Sequence, residues 1–266
     1  FRAYADIYPD SCLLLIDTYD VLNSGIKNAI TVFNELRAKG HEPLGVRLDS
    51  GDLTYLSREV RRILDEAGFE NVKITASNDL DEYTITSLKQ EGAKIDSWGV
   101  GTKLITSYDY PSLGGVYKLA AATNSEGLLV PKIKISENPE KINNPGFKKV
   151  VRIYNENGKA EADLIMLADE KIDESKTLEI FDPVYTWKTK QFEKFSLREV
   201  LSPLFKDGKC VREGKTIQEV TEYTQRELDS LWNQHKRIKN PHIYKVDLSE
   251  GLWKMKQEMI ASKKIK

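Results

Sequence analysis

The chain reads as an α/β protein built on parallel strands. Short apolar runs alternate with amphipathic helical stretches four times in the first hundred residues, and a polar cluster follows every run. Strand–helix alternation at this pace calls for right-handed crossovers and a parallel sheet. The strands are apolar along their whole length, which suits a sheet covered on both faces. Two architectures fit: a doubly wound sheet, or part of a (β/α)₈ barrel, of which four units are half.

The elements follow in order. FRAYADIYPD, residues 1–10, reads as the end of a helix running into a turn, and the chain is expected to be a fragment whose beginning lies elsewhere. Residues 13–16 form the first strand and end in Asp17-Thr-Tyr-Asp20. Apolar positions 26, 30, 33 and 36 then fall at helical spacing, with Asn23 or Ser24 as cap and Gly40 as stop. Residues 44–48 make the second strand, and Leu53, Leu56, Val60, Ile63, Leu64 and Ala67 the helix after it, closed by Gly68. A third strand at 72–76 ends in Ser77-Asn-Asp79, a helix with Ile85 and Leu88 stops at Gly92, and a fourth strand at 95–100 enters Gly101-Thr102.

Beyond Gly114 the texture changes. Residues 128–135, 148–154 and 162–167 look like strands separated by turn formers, with Asn155-Glu-Asn-Gly158 as a hairpin signal. A loop or hairpin follows from Lys206, then a helix from Thr216 to about His235, broken by Asn240-Pro-His-Ile-Tyr244. A final amphipathic helix holds Leu248, Leu252, Trp253 and Met259, and Lys263-Lys-Ile-Lys266 is a solvated tail. Three regions are expected: 1–118, half of an α/β barrel carrying the site; 119–205, a β-rich α/β sandwich; and 206–266, a helical C-terminal extension.

Forty basic and forty-one acidic residues leave a net charge of -1, so no global field favours nucleic acid or an acidic membrane. No apolar run reaches the roughly 18 residues of a membrane span. Cys12 and Cys210 are far apart and fit no metal or redox spacing; Cys12 is expected to be a small buried hydrophobe, and the setting reducing and cytoplasmic.

The chemistry concentrates in GVRLDSGDL, residues 45–53. Arg47 and Asp49 are two apart on one strand and share a face. A guanidinium fork there can bind a small carboxylate through two parallel bonds, or can form an internal ion pair that orders the loop. Gly99-Val-Gly-Thr102 follows a strand, where backbone N–H groups and a helix start can hold phosphate, with Thr102 adding a hydroxyl; a tight, closely packed turn explains the glycines equally well. Asp17, Asp20, Asp79 and Asp81 lie at strand ends, suited to ribose hydroxyls or a magnesium diphosphate, or, for Asp79, to capping the next helix. No arrangement has the spacing of a protein-only metal site. Ser50 and Ser77 lack a neighbouring base, and His41, His235 and His242 stand in no catalytic context.

Five ordered motifs carry a resemblance: LLIDTYD at 14–20, GVRLDSGDL at 45–53, ASNDLDE at 76–82, GVGTKLITS at 99–107 and LGGVYKL at 113–119, with NPHIYKVDLS at 240–249 as a sixth. Together they resemble the C-terminal portion of the nicotinate phosphoribosyltransferases. The resemblance implies a partial barrel of the type II phosphoribosyltransferase kind beside a smaller sheet domain. It implies the reaction of nicotinate with phosphoribosyl pyrophosphate to nicotinate mononucleotide and pyrophosphate, within NAD biosynthesis, coupled to ATP and using Mg²⁺ on the diphosphate, in a homodimer. Arg47 would take the nicotinate carboxylate and Asp49 would lie near the base or ribose. Gly99, Gly101 and Thr102 would hold phosphate; Asn78 and Asp79 would line the ribose side, and Gly114 and Gly115 would support the pocket. The histidine that ATP phosphorylates in the family matches nothing here, so no catalytic residue is assigned, and the 266 residues alone are expected to be inactive. Nicotinamide or quinolinate transfer, a non-catalytic paralogue or interaction subunit, and an aldolase-like phosphate binder are the alternatives.

Overall fold

The computed structural model describes residues 1–262; the Lys263–Lys266 tail lies outside them. The chain divides into two compact units, Phe1–Gly114 and Gly115–Lys266.

The first unit opens with α1 (Arg2–Ile7), tied to α2 (Ile26–Ala38) by Arg2–Glu35 and Lys39–Asp6 ion pairs. Strands β1 (Leu13–Leu15), β2 (Gly45–Leu48), β3 (Lys73–Ala76) and β4 (Ser97–Trp98) form one parallel sheet in sequential order. Helices α2, α3 (Leu53–Glu66) and α4 (Glu82–Gln90) connect them, and a single turn, α5 (Thr102–Ile105), follows β4. The strands alternate as a half-buried sheet does. Leu14, Ile16, Val46, Leu48, Ile74 and Ala76 are buried in one core with Ile26 and Phe33 of α2, Val60 and Leu64 of α3, and Phe69. Leu15 and Arg47 are exposed and Thr75 is half-buried. Among the described residues only one face of the sheet is therefore covered, a correction to the expected two. The apolar run 13–16 misled because its outward member is Leu15.

Two caps also differ from expectation. The path into α2 begins earlier, with a wide helical turn over Val21–Gly25 capped by Asp20, whose Oδ1 accepts from Asn23 N at 2.8 Å. The cap of α4 is Asp81, accepting from Thr84 N at 2.7 Å, and not Asp79. Cys12 is fully buried, and burial pushes its thiol above the ordinary value.

The second unit centres on β7 (Lys148–Asn155) and β8 (Ala160–Leu167), a hairpin closed by the predicted Asn155–Gly158 turn. The Asn155 side chain accepts from Asn157 N and Lys159 N there. Before them lie β5 (Ala121–Thr123) and β6 (Leu129–Pro131) as a ribbon; after them come β9 (Leu178–Phe181) with β10 (Thr189–Phe192), β11 (Phe195–Glu199), and the small hairpin of β12 (Phe205–Lys206) and β13 (Lys209–Cys210). β11 joins β7 antiparallel, and β14 (Val246–Leu248) joins β8 in parallel. Leu248 thus belongs to a strand, and the last helix, α7 (Glu250–Ser262), starts after it. Val151, Ile153, Ala162, Leu164, Met166, Ile180 and Phe192 make the core of this unit. Helix α6 (Ile217–Ser230) ends before the predicted 235 and carries a full capping box between Thr216 and Glu219. Its Glu227 accepts from Arg152 at 3.1 Å and from Arg198 at 2.7 and 2.6 Å. Residues 119–205 and 206–266, expected as separate regions, lie in this one unit.

Candidate functional site

The site is set by register in the first unit. Leu15 pairs with Arg47, Leu48 with Ala76, and Ala76 with Trp98. One step beyond, Asp49, Ser77 and Gly99 stand side by side at the C-terminal tips of β2, β3 and β4, and Asp17 stands next to Asp49 on the β1 side. Parallel sheets gather their sites at these ends, because every strand delivers its last residues to the same edge.

Asp17 arranges the row. Its Oδ2 accepts from Asp49 N and from Ser50 Oγ, both at 2.7 Å, and so fixes the bend that aims Asp49. Arg47 Nε donates to Ser77 Oγ at 2.9 Å, and Ser77 Oγ donates to Asp49 Oδ1. Arg47 Nη2 lies 3.7 Å from the same carboxylate oxygen, an ion pair without a direct hydrogen bond. The Arg47 and Asp49 side chains are each 44% exposed. Among the described residues, the two terminal amino groups of the guanidinium donate to nothing, so the fork is open to a guest.

The glycine turn continues the row. Gly99 N donates to Ala76 O at 2.7 Å, and a Cβ at Gly99 would sit 3.2 Å from Ser77 Cβ. Gly99 therefore packs closely against Ser77, and a side chain there would have to push the serine aside by a few tenths of an ångström. Gly101 is not: a Cβ there would meet nothing within 4 Å. Among the described residues the backbone N–H groups of Val100, Gly101 and Thr102 carry no hydrogen bond. Since α5 is one turn long, any anion held here would rest on these amides and the Thr102 hydroxyl more than on a helix dipole.

Asn78 takes a left-handed backbone, φ 95°, which asparagine tolerates, and its Oδ1 accepts from Asp79 N at 2.9 Å. Asp81 binds Lys103 at 2.5 Å while capping α4, which ties the glycine turn to the end of β3. The Lys103 hydrogen bond, with the Thr84 N–H, holds the Asp81 carboxyl well below the usual carboxylate range, and Asp81 in turn raises Lys103. A cavity of about 360 Å³ opens beside the turn, lined by Asp81, Tyr83, Val100, Lys103 and Tyr108. Arg47 is not among its lining residues; it meets the turn through Ser77 and Gly99.

Of the acidic groups offered for ribose or magnesium, Asp17, Asp20 and Asp81 are engaged in ordering loops and helix starts. Gly114 and Gly115 flank the division between the units, with open space around both. His41 pairs with Asp10 at 2.8 Å, and His235 Nδ1 meets His242 O at 2.8 Å. Sequence reasoning missed Ser77 as the link between Arg47 and Asp49, and it missed the Asp81–Lys103 pair. The first shows only in the register, which sets Ser77 one residue past β3 as Asp49 lies one past β2.

The family profile for the nicotinate phosphoribosyltransferase C-terminal domain matches residues 147–256. A nicotinate phosphoribosyltransferase of Bacillus subtilis is 48% identical over 261 residues, covering 98% of this chain and 53% of the relative. The chain is similar to the nicotinate phosphoribosyltransferases over the part that these matches cover. One from Caenorhabditis elegans is 38% identical over 263 residues, covering 95% of this chain and 46% of the relative. The crystal structure of the human nicotinic acid phosphoribosyltransferase superposes with a TM-score of 0.77 at 27% identity, over 97% of this chain and 48% of that one. The mixed α/β fold thus matches that of about half of the human enzyme, and the chain spans about half the length of the curated relatives it matches.

Proposed function

We propose that this chain supplies the base- and phosphate-binding portion of a nicotinate phosphoribosyltransferase, acting in cytoplasmic NAD biosynthesis. The observation that carries the reading is the strand-tip row: an open guanidinium fork at Arg47, a carboxylate at Asp49 and an amide-rich turn at Gly99–Thr102, joined through Ser77. Four parallel strands in sequential order, with one face uncovered, support half of a type II barrel.

In this reading Arg47 holds the nicotinate carboxylate and so orients the pyridine nitrogen toward C1 of the ribose. Asp49 sits where positive charge grows on the sugar as the bond to diphosphate lengthens. The Gly101 and Thr102 amides and the Thr102 hydroxyl hold the 5-phosphate, and Asn78 and Asp79 line the ribose side. Alignment and charge stabilisation then carry the reaction, with no protein nucleophile. Among the described residues no group of three or more His, Cys, Asp or Glu side chains could hold a metal ion. By the resemblance, Mg²⁺ would enter on the diphosphate and neutralise the leaving charge there. Nicotinamide would leave Arg47 without an anion, which disfavours it. ATP coupling and a homodimer follow from the resemblance. None of the three histidines matches the phosphorylated one, so the 266 residues alone are not expected to turn over.

The test is product formation from nicotinate and phosphoribosyl pyrophosphate, with and without ATP, by the full-length protein. Thr102→Val should raise the phosphoribosyl pyrophosphate requirement and leave the fold intact. Loss of stability with normal affinity would assign Thr102 to packing instead, and absence of nicotinate mononucleotide in the unaltered protein would overturn the reading.

A further inference from the structure

Arg47 near the end of β2 and Asp49 one residue past it are both half-exposed and close enough in sequence to form a direct pair. A bidentate contact near 2.8 Å satisfies both partners and is the strong form of this interaction. Arg47 does not do this. Its Nη2 stays 3.7 Å from Asp49 Oδ1, because Ser77 Oγ stands between: it accepts from Arg47 Nε at 2.9 Å and gives its own proton to Asp49. The hydroxyl satisfies the Nε donor without neutralising the charge, and it occupies the carboxylate oxygen nearest the guanidinium. Among the described residues neither terminal amino group donates a hydrogen bond, and Nη2 keeps only its longer ion pair with Asp49. Ser77 is itself fixed. Its backbone N donates to Leu48 O at 2.9 Å, and its Cβ packs closely against the side-chain-free Gly99.

We propose that Ser77 is a positioning residue that keeps the Arg47 fork from collapsing onto Asp49, and that it thereby sets preference for a pyridine carboxylate over the neutral amide. The inference rests on the proposed reading of Arg47 and deepens it. Ser77 touches neither reacting atom; its hydroxyl decides whether the arginine faces a guest or its own neighbour. Removal of the hydroxyl should let Nη2 close onto Asp49, and the guest carboxylate must then compete with an internal one.

The experiment is equilibrium titration of nicotinate and of nicotinamide into the full-length protein, with steady-state KM and kcat for each base. Ser77→Ala should weaken nicotinate at least tenfold, move nicotinamide less than threefold, and act on KM far more than on kcat. Ser77→Thr and Ser77→Val have the same shape and differ in the hydroxyl, so Thr should retain nicotinate affinity and Val should lose it; this pair decides the matter if Ser77→Ala fails to fold. The loss in Ser77→Ala should shrink when Asp49→Asn is added, because the competing carboxylate is gone. Equal behaviour of Thr and Val, equal losses for both bases, or full additivity with Asp49→Asn would overturn the proposal. If the unaltered protein shows no preference for nicotinate and Arg47→Ala changes nothing, the reading of Arg47 falls and Ser77 with it. A normal preference that Arg47→Ala abolishes and Ser77→Val leaves intact refutes Ser77 alone.

Discussion

Replacing Arg47 with alanine tests the centre of the site, and the structure sets how large the effect should be. A fully desolvated ion pair costs about 3–5 kcal/mol to break from one side, and an exposed one under about 1 kcal/mol. Arg47 is 44% exposed and its fork can give two charge-assisted bonds, so the loss falls between these limits. About 2–3 kcal/mol corresponds to roughly a 30- to 150-fold drop in kcat/KM at 1.4 kcal/mol per decade. The upper end is favoured, because Asp49 then stands without its cation and repels a carboxylate. Nicotinamide should change by less than about threefold, having no charge for Arg47 to meet. Arg47→Lys should fall between, since it restores the charge without the planar fork. Initial rates with both bases, at saturating phosphoribosyl pyrophosphate and low ionic strength, give the comparison. A loss equal for the two bases would mean that Arg47 supports the loop and does not read the substrate.

Three further outcomes follow from named contacts. Gly45→Ala would place a Cβ 2.6 Å from the Lys73 carbonyl and 2.9 Å from Leu13 Cδ1, inside the β2–β3 ladder. It should cost about 2–3 kcal/mol, close to a 10 °C fall in melting temperature for a unit of this size, measured by calorimetry. Asp81 has a depressed carboxyl, so its stabilisation is full above the ordinary carboxylate range and is lost as pH falls below that range toward the depressed native value. Unfolding followed from pH 6 to pH 2 should therefore be less acid-sensitive in Asp81→Asn, which keeps the cap and drops the Lys103 pair. Asp247 is 2% exposed, and burial raises its carboxyl despite Lys245 at 3.0 Å. Its native state prefers the proton, so its contribution to stability is greatest at low pH and declines as pH rises from the ordinary carboxylate value through the raised one. Asp247→Asn should gain on the unaltered chain progressively as pH increases, and a constant difference across pH would refute the sign.

Much of the first unit could be read from spacing, because each helix carries its apolar residues at one period and each polar cluster follows a strand. Helix α3 begins and ends within a residue of where Leu53, Val60, Leu64 and Gly68 put it. The face count failed at Leu15, an outward leucine that makes a half-covered strand look fully buried. The caps failed for a different reason. Asp20, Asn23, Ser24, Asp79 and Asp81 are all competent, and the choice depends on where the helical path bends, which only the packed structure decides. In the second unit β9, β10, β11 and β14 went unread, since they are short and mixed in polarity. Leu248 sat within reach of a helical pattern, and the parallel pairing with β8 overrode it. Arg47, Asp49 and Gly99 were legible as candidates from residue type, and Asn78 only through the resemblance. The link between them was not, because it runs across strands through a serine of no motif value alone.

The two faces of β2 have a practical consequence for redesign. Val46 and Leu48 point into the core, while Arg47 points away from it. The residue that would choose the base can therefore be exchanged without opening a void, and a library at 47 and 49 would vary ligand preference on a scaffold whose packing stays constant. Lengthening β2 by one residue would do the reverse, swinging the arginine into hydrocarbon and a valine or leucine into its place.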